Sequence, residues 1–317
     1  MTETVLIVDP WVEPEPFQEL LPGLHVERQR LPVADDACVG VITATDVAFG
    51  PREAEALPAL RAVVTASVGY DHLDVDGLAA HGIATFCAPA YCSNEVADHA
   101  LASLLALWRG IPRLDRERRD GEWDPPGLPG LRRIAGSTLG IIGLGRIGRE
   151  LAQRARALDV RVLGYDPFLD NAAIRAAGAE PSGLDALLQS SHGVSLHLPI
   201  TAGSAGLIGV RELALMQPWA ALVNVSRAGL VDLDGLADAL RAGRLGAAAF
   251  DVWEDEPPLS GDRRLDAPNL LLTPHIAWAS DVAERALVQA VVDALQAGLA
   301  GRDALGRLGG PPLTSAP

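Results

Sequence analysis

Three short stretches carry residue types that could do chemistry together. Arg227 lies in NVSRAGLVD (224–232), Asp251, Glu254, Asp255 and Glu256 lie in FDVWEDEP (250–257), and His275 lies in TPHIAWAS (273–280). A guanidinium offers a planar fork that binds carboxylate oxygens two at a time. An imidazole titrates near neutrality, and a carboxylate beside it fixes its tautomer and raises its pKa. An arginine, an acid and a histidine brought together therefore suit acid/base work on a carboxylate-bearing substrate. Taken alone, His275 is open as a packed core residue, a metal ligand or an acid/base group, since a histidine after proline in an apolar run is more often structural than catalytic. Residue type leaves Glu254, Asp255 and Glu256 all open as its partner.

Each of these stretches follows a segment that reads as a buried strand. Strands are expected at LGIIG (139–143), VRVLGYD (160–166), GVSLHL (193–198), ALVNV (221–225), AAAFDV (247–252) and LLLTP (270–274), with helices between them. Six parallel strands joined by crossovers describe a doubly wound nucleotide-binding sheet, whose ligands bind at the carboxyl ends of the strands. All three chemical stretches fall at that edge. The first strand runs into GLGRIG, which places Gly143, Gly145 and Gly148 in G-x-G-x-x-G spacing ahead of a helix. The first glycine permits the tight turn, the second admits a pyrophosphate to the backbone, and the third lets helix pack on strand. The second strand ends at Asp166, where an acid accepts bonds from ribose hydroxyls and repels a 2′-phosphate; this predicts NAD, not NADP. A turn cap before Pro167 is the other role open to Asp166.

The first hundred residues contain a second, smaller series. TVLIVD (4–9), CVGVIT (38–43), AVVTA (62–66) and IATF (83–86) read as parallel strands of a flavodoxin-like sheet. Residues 94–119 read as one long helical segment, capped by Ser93 or Asn94 and kinked or divided at Pro112. DGEWDPPGLPG (120–130) breaks it as a loop. After 280 a single amphipathic helix is expected, followed by a frayed tail, GGPPLTSAP (309–317).

At 317 residues, two domains are the natural reading. A net charge of −15 argues against nucleic acid or an anionic membrane as partner. All 26 cationic residues are arginine, which excludes a lysine Schiff base. No apolar run is long enough to span a bilayer, and the acidic start MTETVLIVDP does not read as a signal peptide, so a cytoplasmic protein is expected. Cys38, Cys87 and Cys92 fit a reducing compartment; Cys87 and Cys92 lack a second ligand pair at zinc spacing, and no metal is expected.

GLGRIG, NVSRAGLVD, DVWEDEP and TPHIAWAS stand in the order and spacing of the D-isomer-specific 2-hydroxyacid dehydrogenases, and the chain resembles that family over nearly its whole length. The resemblance implies two doubly wound parallel-sheet domains, a flavodoxin-like substrate domain and a Rossmann NAD-binding domain, with the active site in the cleft between them. It places the discontinuous substrate domain at 1–97 plus 285–317 and the NAD domain at 98–284. It makes Arg227 the substrate-binding arginine, Glu256 the partner of His275, and His275 the acid/base, with Glu254 and Asp255 left as solvated charges. Asp251 would lie near the nicotinamide carboxamide, and further contacts to NADH are implied for Arg146, Ile147, His197, Pro199, Thr201, Val225 and Ser226. SVGYDHLD (67–74) is similar to the family's substrate loop, so the N–H groups of Val68 and Gly69 would hold the substrate carboxylate, with Trp278 lining the pocket. The implied activity interconverts a small D-2-hydroxy acid and its 2-keto acid, in a homodimer. YDPFLD, EVADHAL and HIAWAS look most similar to C-terminal-binding-protein-like and glycerate- or phosphoglycerate-dehydrogenase-like members. Where the binding-protein subgroup has an arginine before the substrate loop, this chain has Thr65. The alternative function is an NAD(H)-sensing, corepressor-like binding protein of the same fold.

Overall fold

The computed structural model describes residues 2–119, 121 and 131–311. Most of the loop expected at 120–130 and residues 312–317 of the expected tail lie outside the described residues. By internal contacts the chain divides into two units, 1–92 with 280–317, and 93–279. These splits fall a little before the 97/98 and 284/285 boundaries read from the sequence. The helix Ser93–Trp108 gives the reason, because from its second turn it buries Ala97, Ala100 and Leu104 in the core of the second unit. Ser280, at the other split, caps the helix Asp281–Leu299 of the first unit, its hydroxyl accepting from Ala283 N at 2.9 Å.

In the first unit, β1 (Thr4–Ile7), β2 (His25–Arg28), β3 (Cys38–Thr43), β4 (Ala62–Thr65) and β5 (Ala84–Cys87) pair in the order 5-4-3-1-2, all parallel. β1, β3, β4 and β5 are buried along their whole length, as strands covered on both faces must be. Two elements go beyond the sequence reading. β2 is an edge strand whose polar residues face solvent, and it carries no continuous apolar run. The C-terminal strand Arg307–Gly309 pairs antiparallel to β5, so part of the expected tail is ordered. Helix Asp281–Leu299 packs against β4 and β5 so closely that a Cβ on Gly298 would stand 2.8 Å from Ala62 Cβ and 2.9 Å from Phe86 Cε2.

The second unit holds β6 (Thr138–Ile142), β7 (Arg161–Tyr165), β8 (Glu180–Pro181), β9 (Gly193–Leu196), β10 (Ala221–Asn224), β11 (Ala247–Phe250) and β12 (Leu270–Leu272). They form one parallel sheet in the order 12-11-10-9-6-7-8. The seventh strand, β8, was not expected; it has two residues, one of them proline, which only a sheet edge tolerates. From β6 the chain runs outward through β7 and β8, then returns to the other side of β6 at β9. That reversal opens a crevice at the carboxyl ends of β6 and β9. Apolar clusters fill both faces, one around Leu222, Leu236 and Phe250, the other around Leu104, Ile141 and Val223. The helical segment expected at 94–119 is two helices, Ser93–Trp108 and Ile111–Arg119. The break falls at Gly110, whose φ of +62° no helix permits, and not at Pro112, which the second helix takes into its first turn.

Candidate active site

The glycine turn sits at the carboxyl end of β6. Gly143 has φ +93°, and a Cβ there would stand 2.5 Å from the carbonyl oxygen of His197. A Cβ on Gly148 would collide with Gly143 O, so the helix Arg146–Ala157 packs on β6 only because residue 148 has no side chain. At Gly145, which caps this helix, no atom lies within 4 Å of a built Cβ. The three glycines thus differ in kind: two are needed for packing, and the middle one leaves the helix N-terminus open to an approaching anion. Asp166 stands across the turn. Its Oδ2 accepts from Leu144 N at 2.9 Å and its Oδ1 from Phe168 N at 3.0 Å. It therefore ties the glycine turn to β7 and caps its own turn, and each oxygen keeps a lone pair for a ribose hydroxyl. These residues fit the adenosine diphosphate part of NAD.

Other sequence-predicted cofactor residues cluster on the neighbouring strand ends. Arg146 and Ile147 open the helix after the turn. His197 follows β9; its Nε2 lies 2.8 Å from Ser195 Oγ, its buried Nδ1 has no protein partner, and burial pushes its pKa down to about 3. The ring is neutral. Pro199 and Thr201 belong to a loop closed by Ser204, whose hydroxyl donates to Pro199 O at 2.7 Å and accepts from Thr201 N at 2.8 Å. Val225 and Ser226 follow β10, where Ser226 Oγ donates to Leu196 O at 2.7 Å and joins the ends of β10 and β9.

Arg227 is set by a buried asparagine that the sequence reading did not single out. Asn224 Nδ2 donates to Arg227 O at 2.8 Å and Asn224 Oδ1 accepts from Ser226 N at 3.0 Å, which fixes the turn after β10. The Arg227 guanidinium donates to Ser226 O at 2.9 Å, and its charge bears on both Glu256 and His275.

His275 Nδ1 lies 2.6 Å from Glu256 Oε2, and each side chain is 29% exposed. Glu256 Oε1 accepts from Trp253 N at 2.8 Å, so the carboxylate is anchored on one side and turned to the histidine on the other. Of the other acids of the stretch, Glu254 pairs with Arg264 at 2.6 Å, and Asp255 is exposed. Burial alone would raise the Glu256 carboxyl, but the bond and charge of His275, the Trp253 N–H and the charge of Arg227 outweigh it and hold the group below its ordinary value. For His275, burial pulls the pKa down, yet the bond to Glu256 and its charge outweigh burial and the opposing charge of Arg227, leaving the imidazole raised. His275 also has φ +51°, a left-handed conformation that costs a non-glycine residue of order 1–3 kcal/mol.

Asp251, 3% exposed, lies beneath this loop. Its Oδ1 accepts from Ile276 N at 3.0 Å and Thr273 Oγ1 at 2.5 Å, and its Oδ2 from Ala277 N at 2.8 Å. Most of its acceptor capacity is spent on its own chain. Trp278, half-buried, comes three residues after His275. Val68 and Gly69 belong to the first unit, just past β4 at the carboxyl edge of that sheet, where Ser67 Oγ donates to Gly69 O at 2.6 Å. Thr273 and His99, whose Nε2 lies 3.0 Å from Thr273 Oγ1, were missed. The available signal for His99 was a histidine set beside the buried stripe Val96, Ala100, Ser103 and Leu107 of its helix. Among the described residues, no group of three or more His, Cys, Asp and Glu could hold a metal, and no helix is long and apolar enough to cross a membrane.

Comparison with known proteins shows what the chain is similar to. Residues 101–277 match the family model described as D-isomer specific 2-hydroxyacid dehydrogenase, NAD binding domain. The chain is 37% identical over 254 residues to glycerate dehydrogenase of Methylorubrum extorquens, covering 78% of each. It is 38% identical over 225 residues to D-3-phosphoglycerate dehydrogenase of Archaeoglobus fulgidus, covering 71% of this chain but only 42% of that longer protein. Among solved structures, D-lactate dehydrogenase of Aquifex aeolicus, complexed with NAD and lactic acid, superposes with a TM-score of 0.87 at 26% identity, covering 98% of this chain and all of that one.

Proposed function

The chain belongs to the D-isomer-specific 2-hydroxyacid dehydrogenase family, and from that premise we propose that it interconverts a small D-2-hydroxy acid and the matching 2-keto acid with NAD(H). The observation that carries the reading is the His275–Glu256 pair at 2.6 Å, under the charge of Arg227 and on the sheet edge that holds the glycine turn. When bound, the reduced nicotinamide supplies a hydride.

The side chains supply the rest. Glu256 accepts the Nδ1 proton of His275, so Nε2, on the far side of the ring, is the nitrogen that faces a substrate. In the reduction direction His275 holds a proton on Nε2 and gives it to the carbonyl oxygen as that oxygen gains negative charge. The bond and charge of Glu256 raise the pKa of His275, which favours the protonated ring over an ordinary imidazole. Arg227 binds the substrate carboxylate through its planar fork, and its charge favours the developing oxyanion. In the oxidation direction neutral His275 takes the hydroxyl proton at Nε2, and Glu256 stabilises the imidazolium that results. Relatives named for glycerate, glyoxylate and lactate support a short substrate chain.

The test is a panel of 2-keto acids, including glyoxylate, pyruvate, hydroxypyruvate and its phosphate, assayed by loss of NADH absorbance. Turnover of at least one, abolished by His275→Ala while NADH binding persists, is expected. NADH binding without turnover of any member would overturn the reading.

A further inference from the structure

The backbone that carries His275 is held by a residue it does not touch through its ring. Three successive N–H groups converge on Asp251: His275 N donates to its carbonyl oxygen at 2.8 Å, Ile276 N to Oδ1 at 3.0 Å and Ala277 N to Oδ2 at 2.8 Å. The left-handed conformation of His275 is the turn that lets all three reach one residue. Asp251 is oriented in its turn by Thr273 Oγ1, 2.5 Å from Oδ1.

The direction of the next bond follows from counting protons. The Asp251 oxygens already receive N–H donors at both ends, so they act as acceptors, and the single hydroxyl proton of Thr273 must point to Oδ1. The hydroxyl then offers only lone pairs to His99 Nε2, 3.0 Å away, so that nitrogen carries a hydrogen. His99 Nε2 is 3.9 Å from Asp251 Oδ1, too far for a direct hydrogen bond, and the hydroxyl is the link. The chain therefore runs from His99 Nε2–H to Thr273 Oγ1–H to Asp251, and from Asp251 to the backbone of 275–277. It joins the helix Ser93–Trp108 to the loop after β12, 174 residues later in sequence.

We propose that His99 and Thr273 are positioning residues which, through Asp251, hold the 275–277 backbone so that the His275 ring meets Glu256 with Nδ1 and turns Nε2 to the substrate. The proposal rests on the reading of His275 as proton donor. Hydrogen-bond positioning and simple packing respond oppositely to two pairs of substitutions. Thr273→Val keeps the shape and loses the hydroxyl, whereas Thr273→Ser keeps the hydroxyl. His99→Leu loses the donor, whereas His99→Gln places an amide N–H at similar reach.

The experiment measures kcat and KM on the accepted 2-keto acid and, in substrate-free protein, the NMR resonance of the His275 Nδ1 proton. A misplacement of about an ångström costs up to roughly a hundredfold in rate, so kcat is expected to fall about ten- to a hundredfold in Thr273→Val and His99→Leu, with KM for NADH little changed. The Nδ1 resonance should broaden or vanish in both. Thr273→Ser and His99→Gln, which retain the bonds, should lose about threefold or less and keep the resonance. If Val and Leu retain kcat and the resonance, or if Ser and Gln fall as far as they do, the proposal is wrong. Should Thr273→Val fail to fold, His99→Leu against His99→Gln decides. If the unmutated protein turns over no 2-keto acid, the dehydrogenase reading fails, and the NMR comparison still decides the positioning of His275.

Discussion

Replacing Glu256 with glutamine separates charge from shape at the proposed acid/base pair. Glu256 uses both oxygens, Oε1 for Trp253 N and Oε2 for His275 Nδ1. Glutamine has one carbonyl oxygen. If it serves the Trp253 N–H, the amide nitrogen faces His275 and demands an unprotonated Nδ1; if it serves His275, the amide nitrogen confronts the Trp253 N–H. Either arrangement favours the neutral imidazole, and the charge that offset burial and Arg227 is gone. The sign follows. His275 is raised in the native protein, so the proton needed for reduction is present below its midpoint and lost as pH rises through it; Glu256→Gln moves that loss to lower pH. A hydrogen bond to a charged group contributes about 1.5–3 kcal/mol, which corresponds to about 10- to 160-fold in kcat/KM. The full factor should appear only above both midpoints, and in acid, where both proteins hold the proton, the ratio should shrink to the geometric part alone. The assay is the pH profile of kcat/KM for keto-acid reduction in the two proteins. A ratio that stays constant across pH, or an alkaline limb that does not move, would refute the reasoning and return Glu254 or Asp255 as the partner.

Three other outcomes are expected. Asp166→Ala should narrow a preference for NADH over NADPH and weaken both cofactors by freeing the Leu144 N–H; equal catalytic efficiency of the two cofactors in the unmutated protein would show that Asp166 is only a turn cap. Arg227→Lys keeps the charge and loses the planar fork, so kcat/KM should fall by about 10- to 160-fold, the equivalent of one charged hydrogen bond; steady-state kinetics at full activity would make Arg227 structural. Gly298→Ala should destabilise the first unit by about 1–3 kcal/mol through overpacking against Ala62 and Phe86, read as a lower denaturant midpoint; an unchanged midpoint would mean that the helix shifts without cost.

Local pattern determined much of this protein. Strands buried on both faces, such as TLGII and ALVN, are predominantly apolar runs because no position faces water, and they are legible one by one. The glycine spacing is equally local, since a turn, an open cap and a close contact all arise within six residues. From these and the three motifs, the two sheets and the edge on which Arg227, Glu256 and His275 lie could be read. Elements whose stability comes from neighbours left no such trace: β2, β8 and the C-terminal strand are short edge pieces recruited by a sheet already present. The helix break went to Gly110 because a left-handed φ ends a helix, whereas a proline near its start does not. Among three adjacent acids, residue type left the choice open and the family resemblance named Glu256; that Arg264 takes Glu254 and that Trp253 N anchors Glu256 is seen only in the packing. His99 and Thr273 are the clearest case. A hydrogen bond across 174 residues has no period and no spacing, and it exists only because the fold packs a helix beside a loop distant in sequence.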